Sequence, residues 1–220
     1  MESLKIALTK GRLEQKSVAL FETAGYDCEN LKNPGRKLLL EAPYRDESAA
    51  PLTAVLAKAP DVITYVERGV CDLGVVGKDT IMEYGTRFYE VLDLGFGKCR
   101  FALASLPETD FDAPVYKPRV IGTKYPNVTR AWFAKRGEEV ETVKIEGSVE
   151  LAPILGLADG IVDIVETGTT LKENGLVIKT VVAPVSARLI VNLVSMKMKK
   201  QEILTFIEKI QDAMAGPKAQ

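Results

Sequence analysis

The sharpest chemical signal in the chain is the run Gly160-Ile161-Val162-Asp163-Ile164-Val165-Glu166-Thr167-Gly168-Thr169-Thr170-Leu171. An apolar strand delivers a carboxylate and then opens, through Thr-Gly-Thr-Thr, into a helix start whose unpaired N–H groups and positive dipole end favour a phosphate. Threonine hydroxyls add donors there. Asp163 or Glu166 can accept hydrogen bonds from vicinal sugar hydroxyls, so the segment suits a ribose 5-phosphate. It equally satisfies a plain strand, an N-cap threonine and a turn glycine with no ligand. Other candidates are cationic. Lys10 and Arg12 flank Gly11 in the turn after the first strand, where positive charge at a helix start opposes the dipole unless an anion is to be met. Lys78 and Asp79 repeat the design later, although Asp79 also reads as a simple N-cap. Arg100, in Phe96-Gly97-Lys98-Cys99-Arg100, stands where the chain is expected to cross between lobes, and a plain surface role fits it as well.

The composition removes whole classes of mechanism. Histidine is absent from all 220 residues, which excludes imidazole bases, Ser-His and Cys-His nucleophile pairs, and the commonest zinc ligand. Cys28, Cys71 and Cys99 are odd in number, widely spaced and without a C-x-x-C, so neither a disulfide framework nor a thiolate metal site is expected and a reducing cytoplasm fits. Lys+Arg 29 against Asp+Glu 30, with no run of like charge, argues against a nucleic-acid partner held by a basic face. The N-terminus lacks a charged segment followed by an apolar one, and the apolar stretch around 189–196 is broken by Asn192, so neither export nor a membrane span is expected.

Positioning these groups falls to alternating strands and helices. The pattern predicts a strand at 4–8, a helix at 13–24, two strands at 37–41 and 52–57 that could pair as a hairpin, and a helix capped by Asp61 running to Glu67. A strand at 72–76, a helix after Gly77, strands at 177–182 and 188–196, and an amphipathic helix at 201–214 follow. Gly69-Val70-Cys71-Asp72-Leu73, then Gly77, lies on Gly160-Ile161-Val162-Asp163-Ile164, then Gly168, at an offset of 91 residues (69 to 160). Ile6-Ala7-Leu8-Thr9-Lys10 similarly echoes Val120-Ile121-Gly122-Thr123-Lys124. Two α/β lobes built of parallel βαβ units follow, with ligand groups at the carboxyl ends of the strands facing a cleft between lobes.

Taken in order, Thr9-Lys10-Gly11-Arg12-Leu13, Gly69 through Gly77, Phe96 through Arg100, Gly147-Ser148-Val149-Glu150-Leu151-Ala152-Pro153 and Asp163 through Leu171 resemble the ATP phosphoribosyltransferase family, as its short-form catalytic subunit. The resemblance covers nearly the whole chain. It implies the first step of histidine biosynthesis, attack of adenine N1 of ATP on C1 of 5-phosphoribosyl 1-pyrophosphate with loss of pyrophosphate, and Mg2+ carried by the substrate. It implies a two-lobed type II periplasmic-binding-protein-like fold with the active site in the interlobe cleft. Lobe I, on the ATP side, would span 1–95 and be completed by 183–220. Lobe II, 96–182, would bind phosphoribosyl pyrophosphate through Asp163, Glu166, Thr167, Gly168, Thr169 and Thr170. Lys10, Gly11, Arg12, Lys78, Asp79 and Arg100 would serve ATP and its polyphosphate. Arg36 and Lys58 would neutralise the departing pyrophosphate, with Lys58 standing where the family usually has Arg. Adenine N1 already carries a lone pair, so no general base is expected and no side-chain metal site is assigned. The short form implies a separate regulatory subunit resembling histidyl-tRNA synthetase, in a hetero-octamer. The rival readings are a cytosolic anion- or effector-binding module of the same fold, and a phosphoribosyltransferase acting on another base.

Overall fold

A computed structural model describes residues 2–85, 87–113 and 116–216. The chain forms β1 (Leu4–Thr9), α1 (Arg12–Thr23), α2 (Glu29–Lys32), β2 (Leu39–Ala42), β3 (Leu52–Ala57), α3 (Ala59–Glu67), β4 (Leu73–Gly77), α4 (Lys78–Tyr84) and β5 (Phe88–Asp93). It continues through β6 (Cys99–Ser105), β7 (Arg119–Thr123), α5 (Pro126–Lys135), β8 (Val140–Lys144), α6 (Leu151–Ile154), β9 (Gly160–Val165), α7 (Thr169–Glu173) and β10 (Val177–Val185). β11 (Ala187–Asn192), α8 (Ser195–Met198) and α9 (Lys200–Ala215) complete it. Two compact units result: one holds the residues up to Gly97 together with those from Ser186 onward, the other is Lys98–Val185.

The first unit is a six-stranded sheet in the order β2-β3-β1-β4-β11-β5. Period-2 alternation along β1 sends Leu4, Ile6 and Leu8 to one face and Ala7 to the other. Phe21 of α1 and Ile203, Phe206 and Ile210 of α9 cover the first face, and the helical spacing of those last three gives α9 a single apolar stripe. Phe206 meets the rings of Phe21 and Tyr26 edge-on or tilted at 5.8 and 5.9 Å, each buried ring worth roughly 1.5–3 kcal/mol. Val62, Ile63 and Val66 of α3 and Ile81 of α4 cover the second face.

The second unit is a five-stranded sheet in the order β10-β6-β9-β7-β8. Its topology repeats the first: β7 lies between β8 and β9 as β1 lies between β3 and β4, all parallel. An antiparallel strand follows on the same side in each, β11 beside β4 and β6 beside β9. The sheets are therefore mixed, where βαβ alternation alone predicts parallel ones.

The duplication is present with a different register. Asp72 N donates to Lys5 O at 2.8 Å while Asp72 Oδ2 accepts from Lys5 N at 2.9 Å. Asp159 makes the same pair with Val120, at 2.8 and 2.7 Å. The structural offset is thus 87 residues (72 to 159), and the 91-residue match of Asp72 with Asp163 joins residues in different positions.

Two other expectations are corrected. Helix α3 starts at Ala59 with Lys58 as its N-cap, because Pro60 suits the first helical turn, and Asp61 sits inside that turn. The strand expected at 188–196 stops at Asn192, whose Oδ1 accepts N–H bonds from Val194 and Ser195 at 2.9 Å each and turns the chain into α8. At the strand ends the hydroxyls of Thr9 and Thr123 donate to Val75 O at 2.9 Å and Val162 O at 2.6 Å, clipping β1 to β4 and β7 to β9.

Candidate active site

In the second unit a pocket of about 240 Å³ opens on the sheet face that α6 and α7 cover. Its floor is small because β6 places Ala102 and Ala104 there, with Ala102 directly opposite Asp163 of β9. Larger side chains at these two positions would fill the space. Asp163 projects into it, and Glu166, Thr167, Gly168 and Thr170 form the rim. Gly168, the N-cap of α7, has φ +87°, a left-handed conformation that glycine adopts without steric cost. Thr169 does not line the pocket, but its Oγ1 lies 3.0 Å from Thr167 Oγ1, and its N–H donates to the same Thr167 oxygen at 3.3 Å. An anion entering the turn would take over as acceptor for these donors.

Asp163 is held in an unusual state. Burial pushes its carboxyl up to about 6, and the neighbouring carboxylate of Glu150 acts in the same direction. The N–H of Ile164 and the charge of Lys124 oppose the rise without cancelling it. A half-buried carboxylate facing a pocket can accept further hydrogen bonds, and sugar hydroxyls can supply them. Glu150, which lines the same pocket, stands in the Gly147–Pro153 segment that carries the resemblance but is given no role by the sequence reading, because as the N-cap of the short α6 it looks like an ordinary acid at a helix start. Arg100 of β6 donates from Nη1 to Glu166 O at 3.4 Å, which sets it beside this pocket's rim.

The first unit gathers its cations at one sheet edge. The parallel strands β3, β1 and β4 end in Lys58, in Lys10-Gly11-Arg12 and in Lys78-Asp79 respectively. Lys10 N donates to Ala57 O at 2.9 Å, so the turn carrying Lys10 is tied to the residue before Lys58. Leu56 N donates to Leu38 O at 2.9 Å, which brings the turn containing Arg36 to the same end of β3. Each of α1, α3 and α4 therefore begins with a basic residue at or next to its cap, although the dipole there prefers anions. Acids one turn in, Glu14, Asp61 and Asp79, partly offset this, and Glu14 reaches back to Gly11 N at 3.2 Å. Gly77 caps α4, and Asp79 folds back over it so closely that a Cβ there would lie 2.0 Å from Asp79 Oδ1.

Three residues of this edge, Arg188, Glu90 and Asp93, are not singled out by the sequence. Arg188 of β11 pairs with Glu90 and Asp93 of β5, at 3.3 and 3.0 Å, and Glu90 also holds Lys78 at 2.5 Å. The thiols of Cys28 and Cys71 are buried and pushed up to about 11 by that burial, which makes them core residues and poor nucleophiles. Among the described residues no group of three or more acidic or thiol side chains converges as a metal site.

A family model described as ATP phosphoribosyltransferase matches residues 58–212. An ATP phosphoribosyltransferase of Clostridium kluyveri is 59% identical over 208 residues, covering 94% of this chain and 92% of the relative. One from Listeria monocytogenes serotype 4b is 52% identical over 220 residues and covers all of both. Among solved structures, a chain of the ATP phosphoribosyl transferase (HisG:HisZ) complex from Thermotoga maritima is 32% identical, with a TM-score of 0.79 over 97% of this chain and 100% of that one. The periplasmic aliphatic sulphonate binding protein SsuA from Escherichia coli, 12% identical with a TM-score of 0.56 over 98% of this chain and 73% of its own, shares the fold.

Proposed function

The chain belongs to the ATP phosphoribosyltransferase family, and from that premise we propose how its own residues carry the reaction. It transfers the phosphoribosyl group of 5-phosphoribosyl 1-pyrophosphate to N1 of the adenine of ATP, releasing pyrophosphate, the first step of histidine biosynthesis. The observation that carries the site assignment is the 240 Å³ pocket, in which a half-buried carboxylate faces a threonine-rich turn.

In this reading Asp163 accepts the ribose hydroxyls, with Glu166 beside it, while Thr167, Gly168, Thr169 and Thr170 take the 5-phosphate. The cations of the first unit, Lys10, Arg12, Arg36 and Lys58 with Lys78, meet the polyphosphates, and Gly11 lets that turn approach closely. Adenine N1 attacks C1 as the C1–O bond to pyrophosphate breaks, so charge builds on the departing oxygen. What the chain supplies is orientation and positive charge where that oxygen departs, without proton transfer. Asp163 and Glu150, hard oxygen donors that line the pocket, are the residues that would meet a magnesium ion carried in on the pyrophosphate, and such an ion would neutralise part of that charge. Replacing Asp163 by Asn or Thr170 by Val is expected to weaken phosphoribosyl pyrophosphate binding by roughly 1–3 kcal/mol in a calorimetric titration. Unchanged affinity in both would remove this site.

The relative from Thermotoga maritima was solved as a HisG:HisZ complex, and a histidyl-tRNA-synthetase-like regulatory subunit is the partner proposed for this chain, in a hetero-octamer. Exposed apolar residues around α6, Leu151, Ile154, Leu155 and Leu157, give such a partner a surface to cover. Free thiols at Cys28, Cys71 and Cys99 fit a cytoplasmic setting, and no helix among the described residues is long and apolar enough to cross a membrane. Sedimentation of the chain mixed with that subunit should give a species larger than either alone. No such species, or strong histidine inhibition of the isolated chain, would contradict the assignment.

A further inference from the structure

In a regular strand, residues three apart face opposite sides of the sheet. Glu90 and Asp93 of β5 are three apart, yet both carboxylates reach the Arg188 guanidinium, at 3.3 and 3.0 Å. The reason is a bulge. Arg188 pairs with Asp93 and Leu189 with Leu92, but Ile190 pairs with Glu90, leaving Val91 as an extra residue on β5. Val91 and Leu92 both pack on the face that α1 and α9 cover, which returns Glu90 to the other face, beside α4. Bulges re-aim side chains in this way, often next to active sites. Here the result puts Glu90 between two cations, with Oε2 2.5 Å from Lys78 Nζ and Oε1 on Arg188 Nη1.

We propose that Glu90 is an internal counter-ion for Lys78, aimed by the bulge at Val91, and that the polyphosphate of an incoming nucleotide must displace it. The inference rests on the reading of this sheet edge as the polyphosphate side. Lys78 lies at the start of α4 on the same edge as Lys10 and Lys58, where a triphosphate would be met. Among the described residues its partner is a single carboxylate, in a pair only about one quarter exposed, 29% and 26%, so the contact is partly desolvated and stronger than a free surface pair. Arg188 has an anchor besides Glu90: Asp93 holds it at 3.0 Å, and Asp93 is itself fixed by Ser186 Oγ at 2.8 Å and Gly95 N at 3.0 Å. Displacing Glu90 therefore releases Lys78 and leaves Arg188 in place. Glu90 acts as a positioning residue: it keeps the Lys78 ammonium at the edge and makes a multiply charged ligand the one that competes for it. Ligands with one phosphate, carrying less charge, compete less well, so the pair selects for polyphosphates.

The test is calorimetric titration of ATP, and separately of inorganic tripolyphosphate, into the full chain. Glu90→Gln should tighten both by about three- to ten-fold, and the gain should vanish in Glu90→Gln/Lys78→Met. Loss of packing alone cannot tighten binding. In the unaltered chain the side-chain carboxylate 13C resonance of Glu90 should move when ATP is added, a readout that does not depend on a variant folding. Unchanged or weaker binding in Glu90→Gln, or a Glu90 resonance that ignores ATP, overturns the proposal. If Lys10→Ala loses ATP while Glu90→Gln matches the unaltered chain, this inference alone fails. If Lys10, Arg12 and Glu90 variants are all without effect on ATP binding, the reading of the edge fails with it.

Discussion

With its carboxyl raised to about 6 from an ordinary value of 3.8, Asp163 keeps a proton in the folded chain that the unfolded chain has already released between about pH 4 and 6. Stability therefore declines as pH rises through that window, and above it the full penalty of a buried charge is present. Asp163→Asn should remove the penalty. The variant is expected to be more stable at pH 8 by roughly 1–2 kcal/mol and no more stable at pH 3.5, read from thermal melts at the two pH values. Equal melting temperatures at pH 8 would mean the carboxylate is better satisfied than its surroundings indicate. For the same reason kcat/KM for phosphoribosyl pyrophosphate should fall as pH drops through about 6, and part of that limb should disappear in Asp163→Asn. Lys58 differs in kind, because its charge acts where negative charge grows during the reaction. Lys58→Ala should lower kcat more than it raises KM, and an effect confined to KM would remove it from leaving-group stabilisation.

Single strands and helices explain both what the sequence discloses and what it conceals. Asp72 and Asp159 hold equivalent positions, yet their loads differ. Asp72 is buried and takes, besides Lys5 N, the Ser195 hydroxyl at 2.7 Å and Lys199 Nζ at 3.2 Å, binding β1, β4 and the returning α8 and α9 together. Asp159 is exposed and accepts from Val120 N. Asp72→Ala should cost roughly 3 kcal/mol and Asp159→Ala about 1 kcal/mol, measured by urea denaturation. Equal effects would show that the second-unit bond matters as much as the network. The sugar-phosphate segment is legible because strand, carboxylate, Gly turn and helix start are contiguous, and contiguous signals survive without tertiary information. The roles of Glu90 and Arg188 are not legible, since one extra residue at Val91 reverses the face that period-2 counting assigns to Glu90. The repeat is visible for its glycines, but glycines mark turns of different length before β4 and at the start of β9, so the match slips by four residues against the 87-residue structural offset. Asn192 ends β11 by a side-chain bond that apolar patterning cannot register.

At the scale of the whole molecule, two sheets of shared topology divide the chemistry, one gathering cations at its strand ends and the other enclosing a carboxylate and a threonine turn. A chain without histidine can run this reaction because the nucleophile brings its own lone pair and the leaving group needs only positive charge. The most direct measurement is the absorbance of N1-substituted adenine when the chain, with its regulatory subunit present and absent, is incubated with ATP, phosphoribosyl pyrophosphate and magnesium. The account predicts that this absorbance grows only when both substrates are present, with one pyrophosphate released per product, and that it is lost in Asp163→Asn/Thr170→Val. No product under either condition, or product undiminished in that double variant, would contradict it.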